Sequence, residues 1–193
     1  NRGITTRLWY VDVPDSSHLL AWFGRGHNAD GELLVDCSRL RVRPATMADA
    51  GRIAQLRLAL LGEHRSNAIY SRLRRDAPAR AIELTKDQLA SDREAMFVAT
   101  KDDQIVGLIR CIDQRGHRLL RPARFALIST VYVEPAVRRR GVLRSLMNAA
   151  IAWSRERGLT EMRLQNAADN PLAIAAWEAL GFRVVEQIRL RPL

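Results

Sequence analysis

The stretch Val131-Tyr-Val-Glu-Pro-Ala-Val-Arg-Arg-Arg-Gly-Val-Leu-Arg144 gathers the residue types in this chain most able to do chemistry. An alternating apolar run ends in a Pro-containing turn, and three arginines and a glycine then open a helical pattern. Helix N-termini expose backbone N–H groups and carry roughly +0.5 of charge, so they attract anions. Arg138, Arg139, Arg140 and Arg144 at such an end are unfavourable unless a polyphosphate lies in the turn. Gly141 removes the β-carbon where a backbone would have to come close to such a ligand. An exposed basic helix start with solvated arginines is the competing reading of the same residues.

The whole chain shares this charge. Its 193 residues hold 31 Lys plus Arg against 21 Asp plus Glu, a net charge of +10. That balance favours anionic partners: nucleic acid, phosphorylated cofactors, acidic substrates or a membrane surface. Only Lys86 and Lys101 are lysines. Arginine suits bidentate phosphate binding, although codon usage produces the same bias. Aromatic residues are 6%, and no run interleaves them with basic residues as a base-stacking platform requires. Cys37 and Cys111 cannot form a disulfide framework, and His18, His27, His64 and His117 lack metal-ligand spacing, so no metal is expected. No apolar run approaches the ~18 residues of a membrane span, and no secretory pattern opens the chain. A soluble, reducing, cytoplasmic setting is the expectation.

The elements that must position the basic turn follow from periodicity. The one strong seam lies near Cys37 to Leu40. Before it the pattern reads as a strand over 7–13, a short helix through Trp22, a Gly-rich turn and a second strand over 32–37. Those 38 residues are too few for an independent core. Trp9, Trp22 and Phe23 are therefore expected to pack on the main domain or on a second subunit, as in a homodimer.

From Leu40 an alternating pattern predicts β-α-α-β-β-β-α-β-α-β. Thr46 and Asp49 resemble a capping box before a helix bearing Ile53, Leu56 and Leu60 on one face. Residues 67–89 read as helical with an interruption at Pro78. Strands follow over 96–100, 104–112 and 125–133, the first two joined by a turn at Asp102-Asp103. A helix carries Val142, Leu146, Ala149, Ala150 and Trp153 on one face. A strand over 161–165 precedes a helix with Asn170 at its N-cap, Pro171 at its first position and Gly181 past its end. A final strand is expected over 182–190.

Taken with its neighbours, the basic turn resembles the acyl-CoA-binding motif of the GNAT N-acetyltransferase superfamily, a strand followed by Arg/Gln-x-x-Gly-x-Gly/Ala at a helix start. Arg138 and Gly141 fill the first two slots, and Leu143 stands where Gly/Ala is usual. Asn170-Pro-Leu-Ala173 and Ala176-Trp-Glu-Ala-Leu-Gly-Phe182 match the family's second half, and Arg41-Val-Arg-Pro-Ala-Thr46 matches its opening. The likeness covers residues 39–193. It implies an α/β fold whose mixed, mostly antiparallel sheet has a splayed central strand pair and helices on its faces. It also implies acetyl-CoA as co-substrate. Its pantetheine arm would pair with the backbone at Val131 and Val133. The cofactor would further engage Arg138, Arg139, Arg140, Gly141, Val142, Arg144, Asn170 and Ala173. A deprotonated amine would attack the acetyl carbonyl directly, with no covalent enzyme intermediate, beside a backbone N–H that polarises the thioester.

The acid and base are not fixed by the resemblance. Trp177 occupies the slot of the family's frequent acidic Tyr, and an indole N–H is a donor that does not ionise at neutral pH, so packing is its expected role. Ser129, Thr130, Tyr132 and Glu63 are the remaining candidates. Glu134 is expected to be a turn residue. Acceptor recognition is expected among Glu63, His64, Tyr70, Arg74, Arg75 and Asp76. Three functional classes stay open: an N-acetyltransferase acting on a small-molecule or protein amine, a non-catalytic acyl-CoA-binding module, and a nucleic-acid-directed acetyltransferase on a tRNA-linked amine.

Overall fold

The computed structural model describes residues 40–191. The expectations for the N-terminal extension of residues 1–38 lie outside these. Five strands form one sheet in sequential order: β1 (Arg41–Pro44), β2 (Glu94–Lys101), β3 (Gln104–Arg115), β4 (Arg124–Val133) and β5 (Met162–Leu164). The first three pairings are antiparallel and the β4–β5 pairing is parallel. Four helices flank it: α1 (Ala50–Glu63), α2 (Ala77–Ala90), α3 (Val142–Glu156) and α4 (Pro171–Ala179).

Strand alternation divides the apolar residues between two layers. Met96, Val98, Ile105, Leu108 and Tyr132 meet Ile53 and Leu56 of α1, with Leu60 and Leu89 alongside. Ala99, Val106, Ile109, Cys111 and Ile128 meet Val142, Leu146, Met147 and Ala150 of α3. Trp177, Leu180 and Phe182, at the end of α4, pack against this second layer. The β2–β3 turn is a tight hairpin whose central residues, Asp102 and Asp103, have φ of 47° and 60°, as a type I′ turn demands.

The start of α1 forms as expected. Asp49 Oδ2 accepts from the Thr46 N–H at 2.8 Å and its hydroxyl at 3.0 Å, closing a short 3-10 turn that leads into the helix. The end of α4 is a Schellman turn: Gly181, at φ 87°, donates to the Glu178 carbonyl and Phe182 to that of Trp177.

Two expectations are corrected. The region 67–89 is not an interrupted helix: turns occupy 64–71, and α2 starts at Ala77 with Pro78 in its first turn. A proline lacks only an N–H that a first turn leaves unpaired anyway, so Pro78 opens the helix rather than breaking it. The final strand over 182–190 is absent, and Val184, Val185 and Ile188 are exposed there. A strand is stabilised by a partner edge, and alternation alone does not supply one.

Candidate active site

The site is built where β4 leaves β5. The two strands pair only from Ala126 with Met162 to Ile128 with Leu164, and β4 then runs on to Val133 with no strand beside it on that side among the described residues. Ala126 N–H donates to the Glu161 carbonyl, so Ala126 and Ile128 turn their backbone groups towards β5. In the β3 register Arg110 faces Thr130 and Cys111 faces Ile128, leaving Ser129 as the extra residue of a bulge. The bulge resets the alternation, and Val131 and Val133 turn their backbone groups to the open side. This is the splayed strand pair.

Beyond Val133, Glu134 caps a 3-10 turn over Pro135–Val137 and is tied to Arg52, whose guanidinium also reaches the Ile105 carbonyl at 3.1 Å. Glu134 is thus the turn residue expected. The chain then reverses through Arg139, at φ 62°, and Gly141, at φ 80°, into α3. Among the described residues, a β-carbon at Gly141 would meet nothing within 4 Å beyond its own chain neighbours. Glycine is there for its left-handed backbone, and the space in front of it is open. No side chain among the described residues caps α3, and Arg139, Arg140 and Arg144 are exposed around its first turn. An uncapped 15-residue helix, a glycine with clear space and surrounding guanidinium groups suit the diphosphate end of coenzyme A. Val142 is buried and can offer only its backbone; Leu143 packs into the core and does not crowd the turn.

Arg138 is placed differently from the arginines that follow it. Its Nε donates to the Val133 carbonyl at 2.8 Å, and one terminal nitrogen donates to both oxygens of Glu63 at 2.6 and 2.8 Å. Its guanidinium carbon lies 5.6 Å from the centre of the Tyr132 ring. Tyr132 is buried, and its hydroxyl donates to Glu63 Oε1 at 3.2 Å. Burial, then the neighbouring Glu63 charge, pushes the Tyr132 phenol above its ordinary value, so it is a neutral hydrogen-bond donor. Two of the four acid–base candidates, Glu63 and Tyr132, therefore touch each other.

The other two stand apart from this contact. Ser129 Oγ accepts from Arg110 at 3.0 Å, and Arg110 is held by Glu94 at 2.7 Å; Thr130 is buried. Glu63 and His64 line a cavity of about 260 Å³ with Ser66, Asp169, Asn170 and Leu172. His64 also packs against Tyr70 at 5.5 Å. Asp76 is engaged by Arg74 and Arg80. Asn170 Oδ1 accepts from the Ala173 N–H at 3.0 Å, so these two expected cofactor contacts cap α4. Burial pushes the Cys111 thiol up to about 12, which removes it as a nucleophile. Sequence reasoning missed Asp169 and the Arg138–Glu63 pair. The only signal for Asp169 was its place beside the Asn170 cap.

Comparison with known proteins identifies the family and the fold. The acetyltransferase (GNAT) family profile matches residues 58–182. An aminoglycoside N(6')-acetyltransferase type 1 of Stenotrophomonas maltophilia is 30% identical over 151 residues, 76% of this chain and 88% of that protein. Human N-acetyltransferase 8 is 24% identical over 105 residues, 54% of this chain and 45% of that one. The solved structure of AAC(6')-Iy in complex with the bisubstrate analogue CoA-S-monomethyl-acetylneamine shares the fold. Its TM-score is 0.67 at 21% identity, covering 81% of this chain and 99% of that one. This chain belongs to the GNAT family and is an acetyl-CoA-dependent N-acetyltransferase.

Proposed function

We propose that the acceptor is the primary amine of a small polar molecule, taken up in the cavity between the end of α1 and the start of α4. The observation that carries this reading is the pair of carboxylates, Glu63 and Asp169, lining that cavity, with Glu63 also hydrogen-bonded to Tyr132 on the open strand. An ammonium group is attracted to such carboxylates, and Glu63 is the group best placed to accept its proton. The relatedness to an aminoglycoside acetyltransferase supports a small-molecule acceptor.

On this reading acetyl-CoA supplies the acetyl group, and the chain's own residues position the partners. The α3 start with Arg139, Arg140, Gly141 and Arg144 holds the diphosphate, and the backbone of Val131 and Val133 aligns the arm of the coenzyme. The Val131 N–H is the donor for the thioester carbonyl. The amine nitrogen bonds to the acetyl carbon, the carbon–sulfur bond breaks, and the amine's protons pass to Glu63 and the departing thiolate. Holding the two partners in line supplies much of the rate.

Thiol release from acetyl-CoA, followed with a panel of aminoglycosides, simple diamines, amino sugars and lysine peptides, tests the proposal. Release that requires a small amine is the expected result. Turnover restricted to peptides would overturn the small-molecule reading, and release indifferent to any amine would remove the acceptor site altogether.

A further inference from the structure

The carbonyl of Val133 lies on the strand edge that the coenzyme's arm would use, and in this structure a side chain of the protein itself holds it. The Nε–H of Arg138 donates to that carbonyl at 2.8 Å, while its terminal nitrogen is gripped by both carboxylate oxygens of Glu63. The guanidinium thereby bridges two elements 75 positions apart in sequence, the end of α1 and the turn after β4. The Tyr132 ring beneath it and the Tyr132 hydroxyl on Glu63 complete the arrangement.

Resting on the site proposed above, we infer that Arg138 is a latch across the coenzyme slot, held shut by Glu63. Docking of the arm and release of the Glu63 carboxylate are then one event. On this proposal an amide of the coenzyme displaces the Arg138 Nε–H from the Val133 carbonyl. When the amide takes it, Arg138 lets go of Val133 and Glu63 together. Glu63 then faces the cavity with its negative charge uncompensated. The carboxylate that receives the amine is thus made available when the acetyl donor is in place.

Arg138 and Glu63 are both about 40% exposed, so the latch is weak enough to open. A closed fraction reduces the apparent affinity of any ligand that needs the open form. An exposed pair of this kind corresponds to a reduction of about three- to five-fold.

Calorimetry of the full chain with coenzyme A and with adenosine 3′,5′-bisphosphate, which has phosphates but no arm, tests this. The Glu63→Gln variant is expected to bind coenzyme A about three- to five-fold more tightly and the bisphosphate unchanged. In 15N NMR of the wild type, the Arg138 Nε–H signal (assigned by its loss in Arg138→Gln) should move on saturation with coenzyme A and stay put with the bisphosphate. Equal tightening for both ligands would show simple charge repulsion and overturn the latch, as would an unmoved Nε–H signal in the coenzyme complex. A wild-type protein that binds neither ligand would instead overturn the coenzyme site on which the latch depends.

Discussion

Trp177 shows how a single residue type can be decided by its surroundings. The ring meets Phe182 edge-on at 5.6 Å and packs on the layer that holds α3 to the sheet. Its indole has no proton to give at neutral pH, so its contribution is shape. Trp177→Phe should keep turnover within about ten-fold of the wild type, at a stability cost on the order of 1–2 kcal/mol from lost packing. Steady-state kinetics beside a melting curve checks this, and a thousand-fold loss with unchanged coenzyme affinity would make Trp177 a chemical participant. Glu63 and Tyr132 were each visible as candidates from sequence, but their contact was not. They are 69 positions apart, and only the packing of α1 over β4 brings them together. Asp169 carried no motif, and its neighbour Asn170 drew notice only as a helix cap.

At the scale of elements, local punctuation and the antiparallel pairing of β2, β3 and β4 proved readable, and the fate of the last segment did not. The Asp102-Asp103 turn, the Asn170 cap and the Gly181 stop are local chemistry, legible within a few residues. Pro78 was misplaced because a proline marks a helix start as readily as a break. The run 182–190 has strand-like residues but no strand partner among the described residues, and partnership is not written in alternation. The start of α1 gives an element-level prediction. Hydrogen bonds from Arg43 at 2.7 and 2.9 Å, then those from Thr46, hold the Asp49 carboxyl at about 2 against 3.8 in a free carboxyl. A depressed carboxyl stabilises the fold above its unfolded value and loses that contribution as pH falls through its folded value. Because Arg43 is partly exposed, the contribution is about 1–2 kcal/mol. Chemical denaturation should show it present at pH 5 and lost between pH 4 and 2. Asp49→Asn should be less stable at pH 7 and flatter across that interval; an equally steep acid loss in the variant would place the effect elsewhere.

The whole molecule carries +10, and its coenzyme is a polyanion. Long-range attraction gathers such a ligand, but local geometry decides where it is held. On the proposed reading that geometry is a sheet opened at one strand pair, with a left-handed glycine turning the chain from the open strand into the start of α3. The order of elements and the basic turn were legible in the sequence because they lie within one continuous stretch. The cavity was legible only in part: Glu63 and His64 were expected at the acceptor, but the start of α4, which completes the lining, was not. Calorimetric titration of coenzyme A into the wild type and into Gly141→Glu is the most direct test of the α3 start as the diphosphate site. The wild type should bind, and the folded variant, with a bulky anion in the open space before the helix, should not. Unchanged affinity in Gly141→Glu would contradict the placement of the coenzyme at this turn.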